Sequence, residues 1–297
     1  MNKKEIYHKL LNFIQDLIFL KFRFKQRNLY EKLLLNRKFK DLHLGERCFI
    51  LGNGPSLRNQ DLSLLSDEYV FTVNQIMRHP DFEKIRTNYH FWADPMFFEI
   101  DENRQEDLEL LEVMKNLNTQ NNKPECFFPI DQSSFISKYK LDEFLQVNYY
   151  RSKYVFHDNY SRKIDYTKIT PGFGTVVQWA ITMAIYMGFK EIYMLGCDNT
   201  GIIVTINSVL KENTDMDYAY QVSENEKKRM ENLLDKQTLE DYCISYTDTL
   251  AGYRRLYNYC LERKIKLVNC SAKSVIDTIP REKFENVISR EKHNETI

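Results

Sequence analysis

This chain has few glycines, no closely spaced pair of cysteines and no net charge. Only 9 of its 297 residues are glycine, its 6 cysteines form no CxxC pair, and 42 basic residues balance 42 acidic ones. The balanced charge excludes a global attraction to nucleic acid, and the cysteine spacing excludes a disulfide frame and a zinc site. We expect reduced cysteines, no metal, no nucleic-acid partner, and glycines only where the backbone needs them.

An uninterrupted apolar run is lacking as well. Lys3, Lys4 and Glu5 stand near the start of the chain and lead into a mixed polar and apolar segment without a small-residue cleavage site. We therefore expect no signal peptide and no membrane-spanning helix, and hence a cytoplasmic protein. A hydrophobic content of 43% is enough for the core of one large domain.

Residues 1–43 are predicted to form a basic amphipathic helical extension. Apolar residues recur there at helical spacing, and basic residues follow them. Two interpretations stay open: the apolar stripe packs on the domain's own surface, or the extension docks on the anionic inner face of a membrane. The stripe is Ile6, Leu10, Phe13, Ile14, Leu17 and Ile18, and the basic residues are Lys21, Arg23, Lys25, Arg27, Lys32, Arg37, Lys38 and Lys40.

From Arg47 onward, short apolar runs ended by turn residues alternate with helical segments, which is typical of a mostly parallel sheet with crossover helices. We expect one α/β domain over residues 44–280, with a mobile lid at about 200–222 and a polar tail at 281–297. The predicted strands are Arg47–Leu51, Tyr69–Val73, Tyr89–Ala93, Glu125–Pro129, Tyr154–Phe156, Glu191–Leu195 and Lys266–Asn269. The predicted helices are Glu106–Asn116, Leu141–Val147, Thr175–Met187, Glu224–Leu234 and Thr249–Arg263, and Gly201 to Gln221 is predicted to be a loop.

The first strand leads directly into a Gly-x-Gly turn. Gly52, Asn53 and Gly54 are followed by Pro55 and by Ser56, whose hydroxyl can cap the next segment. Glycines permit a tight turn and let a phosphate approach backbone N–H groups, and the start of a helix supplies partial positive charge. The turn therefore predicts a nucleotide site.

The next two strands also end in polar residues, Asn74 and Asp94. Each alone is more typical of a turn residue. In a parallel sheet, however, the carboxyl ends of the strands meet at one edge, where α/β proteins bind ligands. We therefore expect Asn53, Asn74 and Asp94 to converge on one cleft.

A second glycine-rich entry to a helix follows later in the chain. Lys168 leads to Gly172, Gly174 and Thr175, and a buried helix then precedes a strand that ends in Asp198. This repeats the pattern of the first strand, so these residues are also predicted to line the nucleotide site. Two roles stay open for Asp198, a contact with a ribose or sugar hydroxyl and the capping of its own loop.

Together these motifs resemble the bacterial sialyltransferases of glycosyltransferase family 42 and, more distantly, flagellin-glycosylating and pterin-pyrophosphokinase-like proteins. The resemblance covers about residues 47–275 and rests on four segments in order: Gly52 to Leu57, Asn74-Gln75, Asp94 to Phe98, and Gly188 to Asp198. It implies a single GT-A-like, Rossmann-type domain that uses a CMP-sugar as donor substrate, without a metal or another cofactor.

The resemblance also implies residue roles. Asn53, Asn74 and the residue at Asp94 would hold the nucleotide, and Tyr218 would match a lid tyrosine that contacts the donor phosphate. The chain departs from the family at Asp94, where the family has asparagine, and at Thr200, which falls near a second lid tyrosine.

A further departure concerns the general base. The family's histidine is missing from the segment 244–249, so Asp248 and His157 are the candidates to take the acceptor's proton, against the alternatives of a helix N-cap and a loop histidine. Backbone N–H groups, Lys168 and lid hydroxyls would stabilise the leaving phosphate.

The sequence thus favours an enzyme that transfers sialic acid or a related nonulosonate from a CMP-sugar to a cell-surface glycan acceptor, as a homo-oligomer. One alternative is a Mg²⁺-dependent pyrophosphokinase of the pterin type, in which Asp94 and Asp198 would serve the metal. The other is a nucleotide-binding protein without catalytic activity.

Overall fold

The structure is a computed structural model that describes residues 3–119, 122–212, 217–234 and 238–294. Within these residues, eight parallel strands form one sheet. They are β1 (Arg47–Leu51), β2 (Tyr69–Val73), β3 (Thr87–Phe91), β4 (Glu125–Pro129), β5 (Gln146–Tyr154), β6 (Ile169–Pro171), β7 (Glu191–Leu195) and β8 (Lys266–Asn269). Their order across the sheet is β6-β5-β4-β3-β2-β1-β7-β8.

Helices cover the sheet and connect its strands. The α-helices are α1 (Lys3–Lys25), α2 (Arg27–Leu34), α3 (Gln105–Lys115), α4 (Ser133–Lys138), α5 (Val176–Met187), α6 (Gly201–Leu210), α7 (Glu224–Leu234), α8 (Leu239–Glu262) and α9 (Phe284–Asn294). Short 3₁₀ turns lie at Leu35–Phe39, Pro55–Asn59, Leu62–Leu65, Ile76–Arg78, Phe82–Lys84, Pro95–Phe98, Ile130–Gln132 and Leu141–Glu143.

The centre of the sheet is buried on both faces. Phe49 and Ile50 of β1 are fully buried, as expected for parallel strands covered by helices on both sides. Helix α5 crosses against β1, β2 and β3 and is apolar almost all round. It ends at Gly188, whose φ of +93° forms the left-handed cap that glycine adopts without strain.

The strand order reverses next to β1. Strands β1 to β6 follow one another outward across the sheet, after which α5 returns the chain and places β7 on the other side of β1. The chain therefore continues from β1 toward β2 on one side and from β7 toward β8 on the other. In open α/β sheets, a crevice for ligands forms at this point, outside the carboxyl ends of the strands.

Most of the predicted strands are confirmed, including β1, β2, β4, β7 and β8 at the expected bounds, and β3 lies two residues earlier than expected. The predicted helix Leu141–Val147 is wrong, because a 3₁₀ turn there leads into the long strand β5. The predicted strand Tyr154–Phe156 is only the last residue of β5. Strand β6 gave no periodic signal, since it has three residues and ends in Pro171, which an edge strand tolerates.

Two helices also differ from the prediction. The prediction of a loop from Gly201 to Gln221 is wrong at its start, where helix α6 lies. The sequence offers little indication of this helix, because the β-branched residues from Ile202 to Thr205 have weak helix propensity. Residues 213–216 of that segment lie outside the described residues. Helix α8 begins at Leu239 and not at Thr249, because Thr238 and Asp241 form a capping box.

The N-terminal extension is helical, as predicted, but the side of α1 that contacts the domain carries Asn12, Phe19 and Phe22 and not the predicted stripe. The Asn12 side chain exchanges two hydrogen bonds with the Val155 backbone, at 3.0 and 2.8 Å, and Asp16 pairs with Arg162 at 2.8 Å. The apolar stripe is exposed. The interpretation that the stripe packs on the domain's own surface is therefore wrong.

No helix in the described part of the chain combines the length and the apolarity that crossing a bilayer requires.

At the C-terminal end of the described chain, part of the predicted polar tail is helical: Phe284 and Val287 of α9 are buried, and the Phe284 ring packs edge-on against Phe49.

Candidate active site

A cleft of about 540 Å³ opens at the carboxyl ends of β1, β2, β3 and β7, where the strand order reverses. Its volume is typical of a small-molecule site. The structure brings most of the predicted site residues to this cleft. Those that line it are Gly52, Asn53, Gly54, Asn74, Asp94, Thr175, Asp198 and Tyr218.

The two glycines after β1 are required by close packing of the loops. A Cβ on Gly54 would lie 2.5 Å from the Asp198 carboxyl carbon and 2.6 Å from the Gly196 oxygen, and one on Gly52 would overlap the Gly196 carbonyl. The glycines therefore let the loops after β1 and β7 touch. The helix expected to follow the turn is only the 3₁₀ turn Pro55–Asn59, so little helix dipole acts on the cleft.

Asp198 ties these two loops together. One carboxylate oxygen accepts a 2.8 Å hydrogen bond from the Ser56 N–H, and the other accepts from the Ser56 hydroxyl. Burial raises the pKa of the Asp198 carboxyl, while the Ser56 hydrogen bonds and the charge of Lys273 oppose this shift. Both oxygens bond to Ser56, so the carboxylate acts as a clamp between two loops, a role that differs from the capping of its own loop.

Two side-chain amides of the cleft lining each have a buried acceptor atom without a hydrogen-bond partner among the described residues. Asn53 donates through Nδ2 to the Val73 oxygen at 3.0 Å, but its Oδ1 is buried and has no hydrogen-bond partner among the described residues. The same is true of Oδ1 of Asn74, a residue held in the left-handed conformation with φ +48°. An unpaired buried polar atom costs about 1–3 kcal/mol, so these two oxygens are candidates to accept hydrogen bonds from a ligand.

Asn199 adds a third such group, which the sequence reasoning missed. Its φ is +56°, and Nδ2 is buried without a hydrogen-bond partner among the described residues. The backbone oxygen of Asn199 accepts a 2.8 Å hydrogen bond from the Tyr246 hydroxyl, which holds the loop. The sequence feature that could have identified Asn199 is its position directly after Asp198 in the loop that follows β7, where asparagine tolerates left-handed geometry.

Asp94 lies exposed at the rim of the cleft. One oxygen accepts from the Met96 N–H at 3.1 Å. The surrounding cleft walls desolvate the carboxyl and raise its pKa, although the Met96 N–H and the charge of Arg229 oppose the shift. Asp94 is therefore a candidate to accept a proton from a ligand in the cleft.

A pair of tyrosines covers the cleft from the lid side. The rings of Tyr218 and Tyr220 stack with centroids 5.4 Å apart and planes inclined by 7°. Between them, the Ala219 N–H donates to the Asn53 backbone oxygen at 3.0 Å. Desolvation raises the pKa of both phenols, so they act as neutral hydrogen-bond donors. The predicted lid tyrosine thus does reach the site.

Helix α7 fastens this lid to the sheet through a buried ion pair. Glu226 and Arg229 are each 2% exposed and lie 3.0 Å apart. Glu226 also accepts from Gln75 Nε2 at 2.6 Å, and Arg229 donates to the Met96 oxygen at 3.1 Å. These two charges of α7 are therefore paired with each other. Their hydrogen bonds to Gln75 and Met96 link α7 to the loops after β2 and β3.

Lys273 is the only lysine or arginine among the described residues that line the cleft. It follows β8, so it reaches the same edge of the sheet as the other strand ends. The sequence reasoning missed it because the segment around Ser271 and Ser274 contains no glycine-rich motif. Its charge acts on Asp198 and is available to a phosphate.

Several predicted residues lie elsewhere. His157 lines a separate pocket with Arg254 and stacks on His8 at 5.8 Å. Asp248 is exposed within α8, so it is neither at the cleft nor at a helix N-cap. The remaining four also do not line the cleft: Ser56 is buried against Asp198, Lys168 pairs with Asp165 at 3.4 Å, Gly172 lies near Ser152, and Gly174 makes room for Thr249.

Within the described residues, no group of three or more His, Cys, Asp or Glu is placed to hold a metal ion. The cysteines are free thiols, and Cys243 alone among them is exposed. The described residues that line the cleft thus supply amides, hydroxyls, one lysine and four carboxylates, of which Asp94 lies at the rim.

Comparison with known proteins gives one family match. The sequence model described as MptE-like, 6-hydroxymethylpterin diphosphokinase MptE-like, matches residues 25–200. No curated protein sequence matches the chain.

Among solved structures, the chain is similar to the MAf glycosyltransferase from Magnetospirillum magneticum AMB-1, with 13% identity, a TM-score of 0.49 and coverage of 90% of this chain and 41% of that chain. It thus spans about two fifths of that protein. It is also similar to the sialyltransferase CstII from Campylobacter jejuni in two complexes, each at 20% identity. With cytidine-5'-monophosphate the TM-score is 0.41, covering 80% of this chain and 85% of that chain. With CMP-3FNeuAc it is 0.36, covering 80% and 84%.

Proposed function

The chain belongs to the MptE-like family, and we propose that within this family it is a nucleotide-dependent glycosyltransferase. In the proposed reaction it transfers sialic acid or a related nonulosonate from a CMP-sugar to a cell-surface glycan acceptor. The observation that carries the proposal is the pair of buried, unpartnered amide oxygens of Asn53 and Asn74 at the ends of β1 and β2.

Two neighbouring acceptors suit the donor groups of a cytidine. The exocyclic amine of cytosine and the ribose hydroxyls both donate hydrogen bonds, and each would satisfy an oxygen that is otherwise buried without a partner. The cleft volume of about 540 Å³ accommodates a nucleotide-sugar. The order of the sequence motifs, which resembles that of the family 42 sialyltransferases, supports the same choice of nucleotide.

The groups around the cleft support a direct transfer. As the bond between the anomeric carbon and the phosphate oxygen breaks, Lys273 and the Tyr218 and Tyr220 hydroxyls stabilise the charge on the departing CMP. The acceptor hydroxyl forms the new bond to the anomeric carbon, and its proton passes to the Asp94 carboxylate. Asp94 takes this role because neither Asp248 nor His157 lines the cleft.

A Mg²⁺-dependent diphosphokinase is the second candidate, favoured by the description of the matching family. Such chemistry uses carboxylates to hold the metal that bridges the phosphates. In this cleft Asp198 is engaged by Ser56, Glu226 by Arg229, and Asp217 by Arg58. Asp94 is left as the one carboxylate for a metal, so the donor set supports sugar transfer better than phosphoryl transfer.

Nucleotide binding tests the proposal through a matched pair of variants. Asn74 and Asn159 both have left-handed backbones, at φ +48° and +60°, so Asn74→Gly and Asn159→Gly each remove an amide without backbone strain. Only Asn74 lines the cleft; Asn159 lines the pocket near His157. We expect CMP to raise the melting temperature of the wild type and of Asn159→Gly in EDTA, but not that of Asn74→Gly.

The other outcomes distinguish the alternatives. Stabilisation by ATP only with Mg²⁺, and none by CMP, would favour the diphosphokinase. CMP binding without donor hydrolysis or transfer to any glycan acceptor would indicate a non-catalytic binding protein. No response to any nucleotide would remove the proposed function.

The proposed base makes a separate prediction about pH. Asp94→Asn should lower turnover of the CMP-sugar by about 10²–10⁴-fold while leaving CMP binding intact. Because the pKa of Asp94 is raised and the charged form accepts the proton, wild-type activity should fall as pH decreases through a value above the ordinary ~3.9 of aspartate. A rate that is independent of pH in this range, or full activity of the variant, would exclude Asp94 as the base.

A further inference from the structure

One side of helix α1 presents a broad apolar surface to solvent. Nine large side chains on it are between 42% and 79% exposed. Plotted at 100° per residue, they fall within about 160° of the helix circumference; the surface that they form is called the α1 apolar arc. Its members are Ile6, Tyr7, Leu10, Phe13, Ile14, Leu17, Ile18, Leu20 and Phe24.

Helix α1 turns most of its large apolar side chains to solvent. A surface helix normally turns its apolar stripe to the core and its polar residues to water. Here Asn12 is 1% exposed and bound to the Val155 backbone, and Asp16 is paired with Arg162. These polar contacts, together with the buried rings of Phe19 and Phe22, hold the helix with its apolar arc outward. Exposed apolar patches of this kind mark interaction sites.

The charges around the α1 apolar arc have one sign. Lys3, Lys21 and Lys25 project from the same range of angles and are exposed. The two acids of α1 point elsewhere: Asp16 binds Arg162, and Glu5 binds Lys9 at 2.9 Å. The arc therefore combines apolar side chains with cationic ones, and no carboxylate lies among them.

We propose that the α1 apolar arc docks the protein on an anionic phospholipid surface. Helix α1 lies in the plane of the interface, with its large side chains among the upper acyl chains and its lysines at the headgroup phosphates. Lysine stems extend along apolar surface while the ammonium groups reach polar headgroups. The polar contacts of Asn12 and Asp16 keep the domain on the water side.

A second copy of the chain fits this surface less well. Pairing two arcs would bring lysines against lysines, with no carboxylate within the arc to neutralise them, and like charges oppose helix pairing. The α1 apolar arc, which is about 160° wide, is also wider than the narrow apolar seam, two residues per heptad, that a contact between two helices buries.

Vesicle flotation of the full chain tests the proposal. The vesicles contain phosphatidylcholine alone or phosphatidylcholine mixed with phosphatidylglycerol. We expect binding to the mixed vesicles and at least a ten-fold loss of bound fraction for Phe13→Gln/Leu17→Gln. The matched control is Ile244→Gln/Leu261→Gln, which removes two side chains that are 59% and 54% exposed on α8 and should bind as the wild type does.

A charge variant separates the two components of binding. Lys21→Gln/Lys25→Gln should lower the bound fraction on the mixed vesicles by at least several-fold, with little change on phosphatidylcholine alone. Thermal unfolding of each variant confirms that it is folded. The proposal is overturned if the wild type does not float, or if the arc variant floats as well as its control. It is also overturned if sedimentation shows a lipid-independent dimer that the arc variant dissociates.

Discussion

The buried histidine of β3 makes the stability of this protein depend on pH in a calculable way. His90 is fully buried, and its Nδ1 lies 2.8 Å from the Thr72 hydroxyl. Desolvation lowers its pKa from 6.5 to about 3, with only partial opposition from the Asn74 backbone. In the folded protein the imidazole is therefore neutral throughout the range in which it becomes charged in the unfolded chain.

The sign of the effect follows from this difference. Below pH 6.5 the unfolded state binds a proton that the folded state does not, so stability is lost as pH falls from 6.5 toward 3. At about 1.36 kcal/mol per pKa unit, the loss between pH 7.5 and 5.0 is about 2 kcal/mol from this residue alone. With ~2.1 cal/mol/K of unfolding entropy per residue, this corresponds to roughly 3 °C in Tm for a chain of 297 residues.

Urea unfolding of the wild type and of His90→Gln at both pH values measures this contribution. Glutamine can keep a hydrogen bond to Thr72 but does not titrate, so the stability advantage of the wild type should shrink by about 2 kcal/mol at pH 5.0. Other titrating groups cancel in the comparison. Between pH 7.5 and 8.5 the advantage should stay constant. An advantage that is the same at pH 5.0 and 7.5 would refute the assignment of a neutral, desolvated His90.

Two further predictions concern the architecture of the cleft. Gly54→Ala should destabilise the protein by about 1–3 kcal/mol through overpacking and abolish CMP-induced stabilisation. The control Gly172→Ala, whose Cβ would meet its nearest neighbours at 3.6 Å, should change stability by less than ~0.5 kcal/mol. Equal effects of the two variants in urea unfolding would contradict the close-packing role of Gly54. Arg229→Met should cost about 3–5 kcal/mol because it leaves Glu226 charged and buried, and Glu226→Gln/Arg229→Met should recover much of that loss. If the double variant is less stable than the single one, the account of the ion pair is wrong.

The sheet and the position of the cleft could be predicted because they depend on local patterns. Strands such as β1 and β7 are covered on both faces, so they appear in the sequence as continuous apolar runs. Parallel pairing then brings the residues after them to one edge, and Asn53, Asn74 and Asp94 do meet there.

The remainder depends on contacts between distant segments. The periodicity of α1 reveals an apolar stripe but not which face docks, since the partners of Asn12 and Asp16 lie 143 and 146 residues away in sequence. Lys273 and Asn199 reach the cleft only through the strand order. Asp248 and His157 are candidate bases by residue type and, for Asp248, by its place in the segment 244–249, and neither criterion tells on which side of the sheet a helix or loop lies.

The position of β1 between β2 and β7 has a consequence for synthesis of the chain. About 120 residues separate β2 from β7, which the ribosome takes roughly 6–24 s to add. During that interval the nascent sheet has β1, the strand that contains Phe49 and Ile50, as one of its open edges. Unpaired apolar edges are templates for aggregation, so a truncated product that stops before Glu191 exposes the future centre of the protein.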